Sequence, residues 1–365
     1  MIKKQKILIV TTISKTIQSF LIPHIQFFQD KDYEVSTASR DSDLLIENEL
    51  KKIKKYEIPF QRKVFHYRNF LALKNMKRLM QQGNFDFVYL HTPVASAITR
   101  MALLFLKKRP RIVYFAHGFH FNQTSFGFKQ YAYYVIEKML SNITDDIICI
   151  NEEDYQLSKE KFKKSRTHFF HGVGIDLSLI PNTMINTTNK KNSQTKILSV
   201  GELNTNKNHI LVLRALLNFK EYDYTYTICG EGPLHEKLRE FIAKNQLEEK
   251  VFLKGYCDQI KKRMKDYDLL IHPSKREGLP VSIMEAMAAG IDILASDIRG
   301  NRDLIKDQKG GILFNNNVES LMDGLSEYFS KSETAKDKMK KYNYNKIQSY
   351  TIENVLKELD YVAHL

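Results

Sequence analysis

Short apolar runs alternate with segments of helical periodicity along the first 150 residues of the chain. The runs suit buried strands because they are brief and rich in β-branched and aromatic residues, whereas the segments between them repeat apolar residues every three or four positions. The predicted strands are Lys6–Thr11, Tyr33–Ala38, Phe85–Leu90, Arg111–Ala116 and Asp146–Ile150, and the predicted helices are Ser14–Lys31, Phe70–Gln82, Val94–Lys107 and Phe128–Ser141. This rhythm predicts a doubly wound α/β domain, in which helices cover both faces of a parallel sheet.

A second cycle of the same kind follows a polar interruption at residues 176–196. Its predicted strands are Ile197–Val200, Tyr224–Cys229, Val251–Leu253, Leu269–His272 and Ile293–Ala295, and its predicted helices are Asn208–Leu217, Leu234–Asn245, Gln259–Met264 and Pro280–Ala289. We therefore predict an N-terminal domain over residues 1–180, a linker over 181–196, a C-terminal domain over 197–348 and a last helix over 349–365 that crosses back to the first domain. Such sheets bind ligands outside the carboxyl ends of their strands, so we expect the two domains to face one another across a cleft.

Composition excludes several classes of protein. The 365 residues suffice for two cores, since 43% are hydrophobic and Gly and Pro contribute only 15 and 8 residues. No apolar run approaches the ~20 residues that cross a bilayer, and the apolar run Ile7–Val10 is too short for a signal peptide. Cys149, Cys229 and Cys257 are odd in number and far apart, which argues against a disulfide framework or a zinc site. We therefore expect a reducing compartment, the cytoplasm.

The net charge of +14 is concentrated in the first domain. Residues 1–180 hold 28 Lys and Arg against 17 Asp and Glu, whereas the remainder holds 28 against 25. The excess lies in Lys51–Lys55 and in Arg62–Arg78, where Phe65, Tyr67 and Phe70 are interspersed. An anionic membrane surface, a phosphorylated substrate or nucleic acid would each attract such a region, and a solvated basic face is the plain alternative. No nucleic-acid-binding module is recognisable, so nucleic acid is not an expected partner.

The most informative segment runs from Glu277 to Gly290 and reads EGLPVSIMEAMAAG. Pro280 suits the first turn of a helix and Gly290 its end, so Glu277 precedes the helix and Glu285 lies inside it. Free N–H groups at a helix start bind anions, and carboxylates accept hydrogen bonds from sugar hydroxyls. A sugar diphosphate fits this arrangement, although a glutamate near a helix start also serves as a simple cap.

This segment resembles the Glu-x7-Glu signature of retaining glycosyltransferases of family 4, which have the GT-B fold of two Rossmann-like domains. Other segments are similar to the branch of that family that builds bacterial exopolysaccharide and capsule. They are Val200–Lys207, Gly230–Pro233, Phe252–Gly255, Gly300–Asp303, His91–Ser96, Ala116–His120 and Gly172–Asp176. The resemblance covers nearly the whole chain. It implies transfer of a hexose or N-acetylhexosamine from a nucleotide-diphosphate sugar, usually a UDP-sugar, onto a polyprenyl-diphosphate-linked saccharide acceptor.

The resemblance also implies roles for single residues. Lys207 would offset charge on the leaving diphosphate, Glu277 would contact hydroxyls of the donor sugar, and Glu285 would bind the ribose. His117 would lie beside the donor sugar, so His117, Lys207 and Glu277 form the predicted catalytic set. The remaining donor-binding residues are Gly201, Glu231, Gly232, Gly255, Tyr256, Gly278, Leu279, Pro280, Val281 and Ser282. The scheme needs no metal and no cofactor.

Two departures from the family pattern concern the phosphates and the acceptor. Glu202 stands where many relatives carry arginine, so one cation at the phosphates is missing. The loop over residues 11–16 lacks the glycines that many members use there, and Lys15 or Thr16 would have to substitute. With His91 and His120, these residues form the predicted acceptor-binding set.

Other candidate signals are weak. The pair Gly230 and Gly232 lacks the third glycine of a dinucleotide fingerprint, and no Walker A string is present. His117 and His120 have no carboxylate or cysteine at ligand spacing, so no metal site is expected. His272 is interpreted as a hydrogen-bonded packing residue.

The predicted function is thus a retaining, metal-independent glycosyltransferase that is cytoplasmic and peripheral at the inner face of the cell membrane. Two alternatives stay open. One is a sugar-nucleotide epimerase or phosphorylase sharing the two-domain fold, and the other is a non-catalytic nucleotide-sugar-binding subunit of a polysaccharide assembly complex.

Overall fold

The computed structural model describes residues 4–41, 53–121, 127–182 and 194–364, which fold into two compact units. The first unit holds the chain up to Gly174 and again from Ile352, and the second holds Ile175–Thr351. The division therefore falls six residues before the predicted one at residue 180, and the return falls at 352 rather than 349. Most of the predicted linker lies outside the described residues.

The sheet of the first unit has seven parallel strands in the order β3-β2-β1-β4-β5-β6-β7. The strands are β1 Lys6–Ile13, β2 Glu34–Arg40, β3 Lys54–Glu57, β4 Phe87–His91, β5 Arg111–Ala116, β6 Asp146–Cys149 and β7 Arg166–Phe169. Side chains on both faces of β1 and β4 are buried, as expected for central parallel strands covered by helices.

The helices of the first unit before residue 175 are α1 Ser14–Thr16, α2 Ile22–Asp30, α3 Arg68–Gly83, α4 Pro93–Leu103, α5 Phe128–Ser141 and α6 Glu152–Lys161. A π-helical turn over Ile17–Leu21 separates α1 from α2, so the predicted helix over 14–31 is interrupted. Pro23 has no N–H to donate to the preceding turn, which accounts for a change of helical pattern at this point.

The second unit has six parallel strands in the order β10-β9-β8-β11-β12-β13. They are β8 Thr195–Val200, β9 Tyr224–Cys229, β10 Val251–Leu253, β11 Leu269–His272, β12 Asp292–Ser296 and β13 Ile312–Phe314. The helices are α7 His209–Leu216, α8 His235–Lys244, α9 Ile260–Arg263, α10 Val281–Ala289, α11 Asn301–Leu304, α12 Val318–Ser330 and α13 Glu333–Ile347. The strand order reverses between β8 and β11, where doubly wound sheets bind their ligands.

The last helix, α14 Ile352–His364, belongs to the first unit. Its Val355, Leu359 and Val362 are fully buried, and each such side chain contributes about 1.5 to 3 kcal/mol by leaving water. Arg111 Nη2 donates to the Val362 carbonyl at 2.7 Å, which ties the helix end to β5. No helix within the described ranges is long and apolar enough to cross a membrane.

Candidate functional site

A cation and a carboxylate meet beyond the carboxyl ends of β8 and β11. Lys207 Nζ lies 2.7 Å from Glu277 Oε1, and the two side chains are only 23% and 14% exposed. Burial alone would raise the pKa of Glu277, but the hydrogen bond from His272 and the charge of Lys207 hold it far below its usual range. Glu277 is therefore ionised at neutral pH.

The loop that carries Lys207 is fixed by two asparagines. Asn204 Oδ1 accepts hydrogen bonds from the backbone N–H groups of Asn206 and Lys207, each at 2.9 Å. Asn206 Nδ2 donates to the Arg276 carbonyl at 3.0 Å, which joins this loop to the residue just before Glu277. A Cβ at Gly201 would lie 3.0 Å from Lys207 Cδ, so glycine there leaves room for the lysine stem. Local backbone geometry thus directs the ammonium group to the carboxylate.

His272, at the end of β11, bonds to two predicted site residues. Its Nε2 lies 3.3 Å from Glu277 Oε1, and its Nδ1 lies 3.4 Å from Ser282 Oγ. The ring is 2% exposed, in keeping with a hydrogen-bonded packing residue. Its partners, which sequence reasoning did not identify, make it a residue that positions Glu277. The position at a strand end near the switch point was the available signal.

The start of α10 offers unsatisfied backbone donors. Pro280 is its N-cap, and no side chain among the described residues caps it. The first helical hydrogen bond runs from the Ile283 N–H to the Pro280 carbonyl, so the N–H groups of Val281 and Ser282 precede it. Together with the helix dipole they form a site suited to an anion such as a diphosphate. Leu279, just before this helix start, is buried.

Glu285, inside α10, has the opposite electrostatic character from Glu277. Burial raises the pKa of Glu285 to about 7, although Lys261 acts in the other direction. At neutral pH Glu285 is therefore close to half ionised, whereas Glu277 is fully ionised. Environments that separate the pKa values of two carboxyl groups are typical of sites in which the two have different tasks.

The loops after β8, β9 and β10 are held against one another. The Gly230 N–H donates to the Gly255 carbonyl at 2.7 Å. A side chain at Gly230 would collide with the Gly201 carbonyl, so this position requires glycine. Tyr256, which follows Gly255, is 64% exposed at this edge. The structure therefore brings together the two loops predicted to approach the nucleobase.

The rest of the Gly230 loop packs on Leu203. The Leu203 N–H donates to the Glu231 carbonyl at 2.9 Å, and the Leu203 carbonyl accepts from Leu234 N–H at 2.9 Å. A Cβ at Gly232 would lie 2.6 Å from that carbonyl. The Glu231 side chain is exposed, and the hydrogen bond from Leu203 fixes the backbone that carries it.

A disulfide joins Cys229, the last residue of β9, to Cys257, with 5.5 Å between their Cα atoms. The prediction that disulfides are absent is wrong for this pair. The two cysteines are 28 positions apart, and the segment between them leads from β9 to its parallel neighbour β10, so both lie at the same sheet edge. Cys149 is buried and forms no disulfide within the described residues. The pairing removes the cysteine-based argument for a reducing compartment.

In the first unit, His91 at the end of β4 supports His117 just after β5. His91 Nδ1 lies 2.9 Å from His117 Nε2. His91 is fully buried, so it does not reach solvent as the predicted acceptor contact requires. Burial, with a smaller effect of His24, lowers the pKa of His117 to about 4, so its ring is neutral at neutral pH. One ring of the pair then donates and the other accepts.

The other predicted acceptor residues lie near the same sheet edge. Lys15 is exposed and Thr16 partly buried at the start of the chain's first helix. His120 contacts Tyr133 edge to face, with 5.3 Å between ring centroids, and lines a cavity described below. In the parts of the chain that the structure describes, no cluster of three His, Cys, Asp or Glu side chains is arranged to hold a metal.

Comparison with known proteins agrees with this fold. Residues 6–151 match the family described as glycosyl transferase 4-like, and residues 182–346 match glycosyl transferases group 1. The putative glycosyltransferase EpsD of Bacillus subtilis is 30% identical over 320 residues, which are 85% of this chain and 83% of EpsD. The UDP-Gal:alpha-D-GlcNAc-diphosphoundecaprenol alpha-1,3-galactosyltransferase of Escherichia coli is 23% identical over 327 residues, 85% of this chain and 83% of that enzyme.

Among solved structures, Anabaena HepE in complex with UDP and glucose has a TM-score of 0.77 at 16% identity, covering 99% of this chain and 100% of HepE. At that identity the likeness concerns the fold, and the fold is GT-B. The chain belongs to the family 4-like glycosyltransferases.

Proposed function

We propose that this glycosyltransferase moves a hexose or N-acetylhexosamine from a UDP-sugar onto a lipid-linked saccharide, with retention of configuration, in bacterial polysaccharide synthesis. The observation that carries the proposal is the Lys207–Glu277 pair, which His272 links to the start of α10. The name of the Escherichia coli relative, which specifies UDP-Gal, a diphosphoundecaprenol-linked acceptor and an alpha linkage, supports the same donor and acceptor classes.

The contacts suggest how the donor engages the pair. An arriving diphosphate would attract the Lys207 ammonium and the free N–H groups of Val281 and Ser282. Glu277 would then lose one partner, keep His272, and accept hydrogen bonds from sugar hydroxyls. When the bond between the anomeric carbon and the diphosphate breaks, these cationic and N–H groups offset the new charge without a metal. The acceptor hydroxyl forms the new bond on the same face and gives its proton to the leaving phosphate oxygen.

A panel of UDP, GDP and ADP sugars tests the donor class by thermal stabilisation. We expect UDP-sugars to raise Tm most. A ligand at 100 times its Kd stabilises the folded state by about 2.7 kcal/mol, so at equal concentrations the sugar nucleotide with the lowest Kd gives the largest shift. With the preferred donor and a lipid-linked acceptor, NMR of the product should show the anomeric configuration of the donor. No stabilisation by any sugar nucleotide would contradict the proposal, and conversion of the sugar without an acceptor would favour an epimerase.

We further propose that the first unit binds the membrane surface. Phe65, Tyr67 and Phe70 are 89%, 70% and 77% exposed, so none of them packs in the core. They lie beside the cations of Arg62–Arg78, and aromatic and basic residues together are typical of interfacial binding. In the other basic run, Lys51–Lys55, Lys51 and Lys52 lie outside the described residues, and Lys54 and Lys55 lie on β3.

Changing Lys63, Arg68, Lys74 and Lys77 to Gln should weaken binding to anionic vesicles. Each cation near an anionic leaflet contributes about 1 kcal/mol, and the attraction should fall with salt. Vesicle sedimentation measures it. The matched control changes four lysines of the second unit, Lys237, Lys244, Lys262 and Lys265, to Gln. Equal loss in both variants, or equal binding to neutral vesicles, would show that this surface is merely solvated.

A further inference from the structure

A cavity of about 330 Å³ lies inside the first unit, between α3, α4, α5 and the segment after β5. We call it the α3–α5 cavity. Its lining is almost wholly apolar and includes Leu73, Val94, Ile98, Met101, Tyr114 and Phe119. The volume is in the range of small-molecule sites. The proposed donor site, which lies in the second unit, makes no use of it.

The cavity changes from buried to exposed along its wall. Tyr114 and Phe119 at its inner end are 1% and 2% exposed, whereas Phe65 and Phe70, which also line it, are 89% and 77% exposed. Large aromatic side chains left in water around an apolar opening mark an interaction site. An occupant with a long apolar part would cover the exposed rings and fill the inner end at once.

The charged groups that line the cavity leave a net charge only at its mouth, where Arg62 is positive. Glu137 lines the cavity, but its Oε2 lies 2.8 Å from Arg100 Nη2, so its charge is already balanced. The Arg100 guanidinium in turn covers the Tyr114 ring at 4.3 Å. Arg62 lines the mouth, where it is exposed and next to Lys63 in the sequence. Unlike Arg100, it is not part of the inner wall. The site therefore suits an apolar chain that ends in an anion.

The cavity borders the sheet edge at which the predicted acceptor residues lie. Pro93 and His120 are among its lining residues. They follow His91 by two residues and His117 by three, at the carboxyl ends of β4 and β5. The cavity therefore adjoins the segments that carry the His91–His117 pair.

We propose that the α3–α5 cavity holds the isoprenoid chain of the lipid-linked acceptor, with its diphosphate at the cationic mouth. This inference rests on the proposed function and adds the place where the lipid part of the acceptor binds. Binding the chain inside the protein selects for polyprenyl carriers, because the shape of the wall, and not only contact with a bilayer, then contributes to affinity.

Fluorescence provides a direct test, since the chain has no tryptophan. In a Phe70→Trp variant, farnesyl diphosphate should cause a saturable blue shift, whereas inorganic diphosphate should not. Adding Ala97→Phe, which fills the cavity from α4, should weaken farnesyl diphosphate binding about tenfold or more, because the buried methylenes carry the affinity. The matched control is Ala243→Phe, on an exposed position of α8, and should change nothing. If Ala97→Phe does not fold, Leu73→Gln replaces it.

Three results would overturn the inference. They are an equal shift with inorganic diphosphate, unaltered binding in the blocked variant, and tighter binding of dodecyl phosphate, which would assign the cavity to a straight acyl chain. Thermal stabilisation by UDP-sugars is measured on the same samples. If it persists while farnesyl diphosphate fails to bind, the cavity inference falls and the proposed function stands, and if it is absent the proposed function falls too.

Discussion

Replacing Lys207 by alanine is expected to lower turnover by about ten- to a thousand-fold, because the leaving diphosphate loses its nearest cation. The effect should be large here, since Glu202 occupies the position where many relatives carry a second cation. Steady-state kinetics with the preferred UDP-sugar measures the loss. We expect it mainly in kcat, because the charge on the diphosphate grows as the sugar bond breaks.

The matched control is Lys331→Ala. Lys331 Nζ lies 2.8 Å from Glu327 Oε1 and is 17% exposed, so it is a partly buried ion pair of similar geometry in the same unit. Its loss should leave turnover within about twofold, since the pair contacts no predicted site residue. Restoring the second cation with Glu202→Arg should tighten UDP binding. Unchanged turnover in Lys207→Ala would remove this lysine from the site.

Features with a local signature could be predicted from the sequence. Pro280 and Gly290 bound α10 to within a residue of the predicted limits, and each predicted strand corresponds to a strand of the two sheets, whereas β3, β7 and β13 are not predicted. Segments without a strong local pattern were not assigned. The helix α13 buries only Met339, Asn343 and Ile347 along 15 residues, so its apolar periodicity is faint.

Pairings between distant residues were beyond sequence reasoning. His272 and Glu277 are close in sequence, but their contact depends on the turn between β11 and α10. The contact between Lys207 and Glu277 joins residues 70 positions apart, and the Cys229–Cys257 bond depends on β9 and β10 being neighbours. The last two pairings are properties of strand order, which a single sequence does not display.

The second large effect concerns the division of labour between the two glutamates. Glu285→Ala should weaken UDP binding by about 1.5 to 3 kcal/mol, the scale of hydrogen bonds to a charged group, because the ribose hydroxyls lose their acceptor. Glu277→Ala should spare UDP, since it removes the carboxylate that occupies Lys207 and leaves the ammonium for the diphosphate. It should impair only binding and use of the UDP-sugar. Calorimetry with both ligands measures this, and equal loss of UDP affinity in the two variants would contradict the assigned roles.

The raised pKa of Glu285 gives a further expectation for the free protein. Its pKa is about 7 in the folded state against 4.5 as the ordinary value, so the unfolded chain releases this proton first as pH rises. The free energy of unfolding should therefore fall between about pH 4.5 and 7, by about 3 kcal/mol in total. Glu285→Gln removes this penalty. Its stability relative to the native protein should be higher at pH 8 than at pH 5, as denaturant melts will show.

The same titration should appear in nucleotide binding with the opposite sign. If the ionised carboxylate is the form that accepts the ribose hydroxyls, UDP affinity should rise about tenfold between pH 6 and pH 8 through the titration of Glu285, whose pKa is about 7. The phosphates of UDP also titrate, so the informative quantity is the difference between the native protein and Glu285→Gln, in which only the ligand titrates. Binding would then be strongest under the conditions in which Glu285 most destabilises the free protein, because the ribose restores the hydrogen bonds that burial takes from the carboxylate. Parallel pH profiles in the two proteins would mean that Glu285 does not contact the nucleotide.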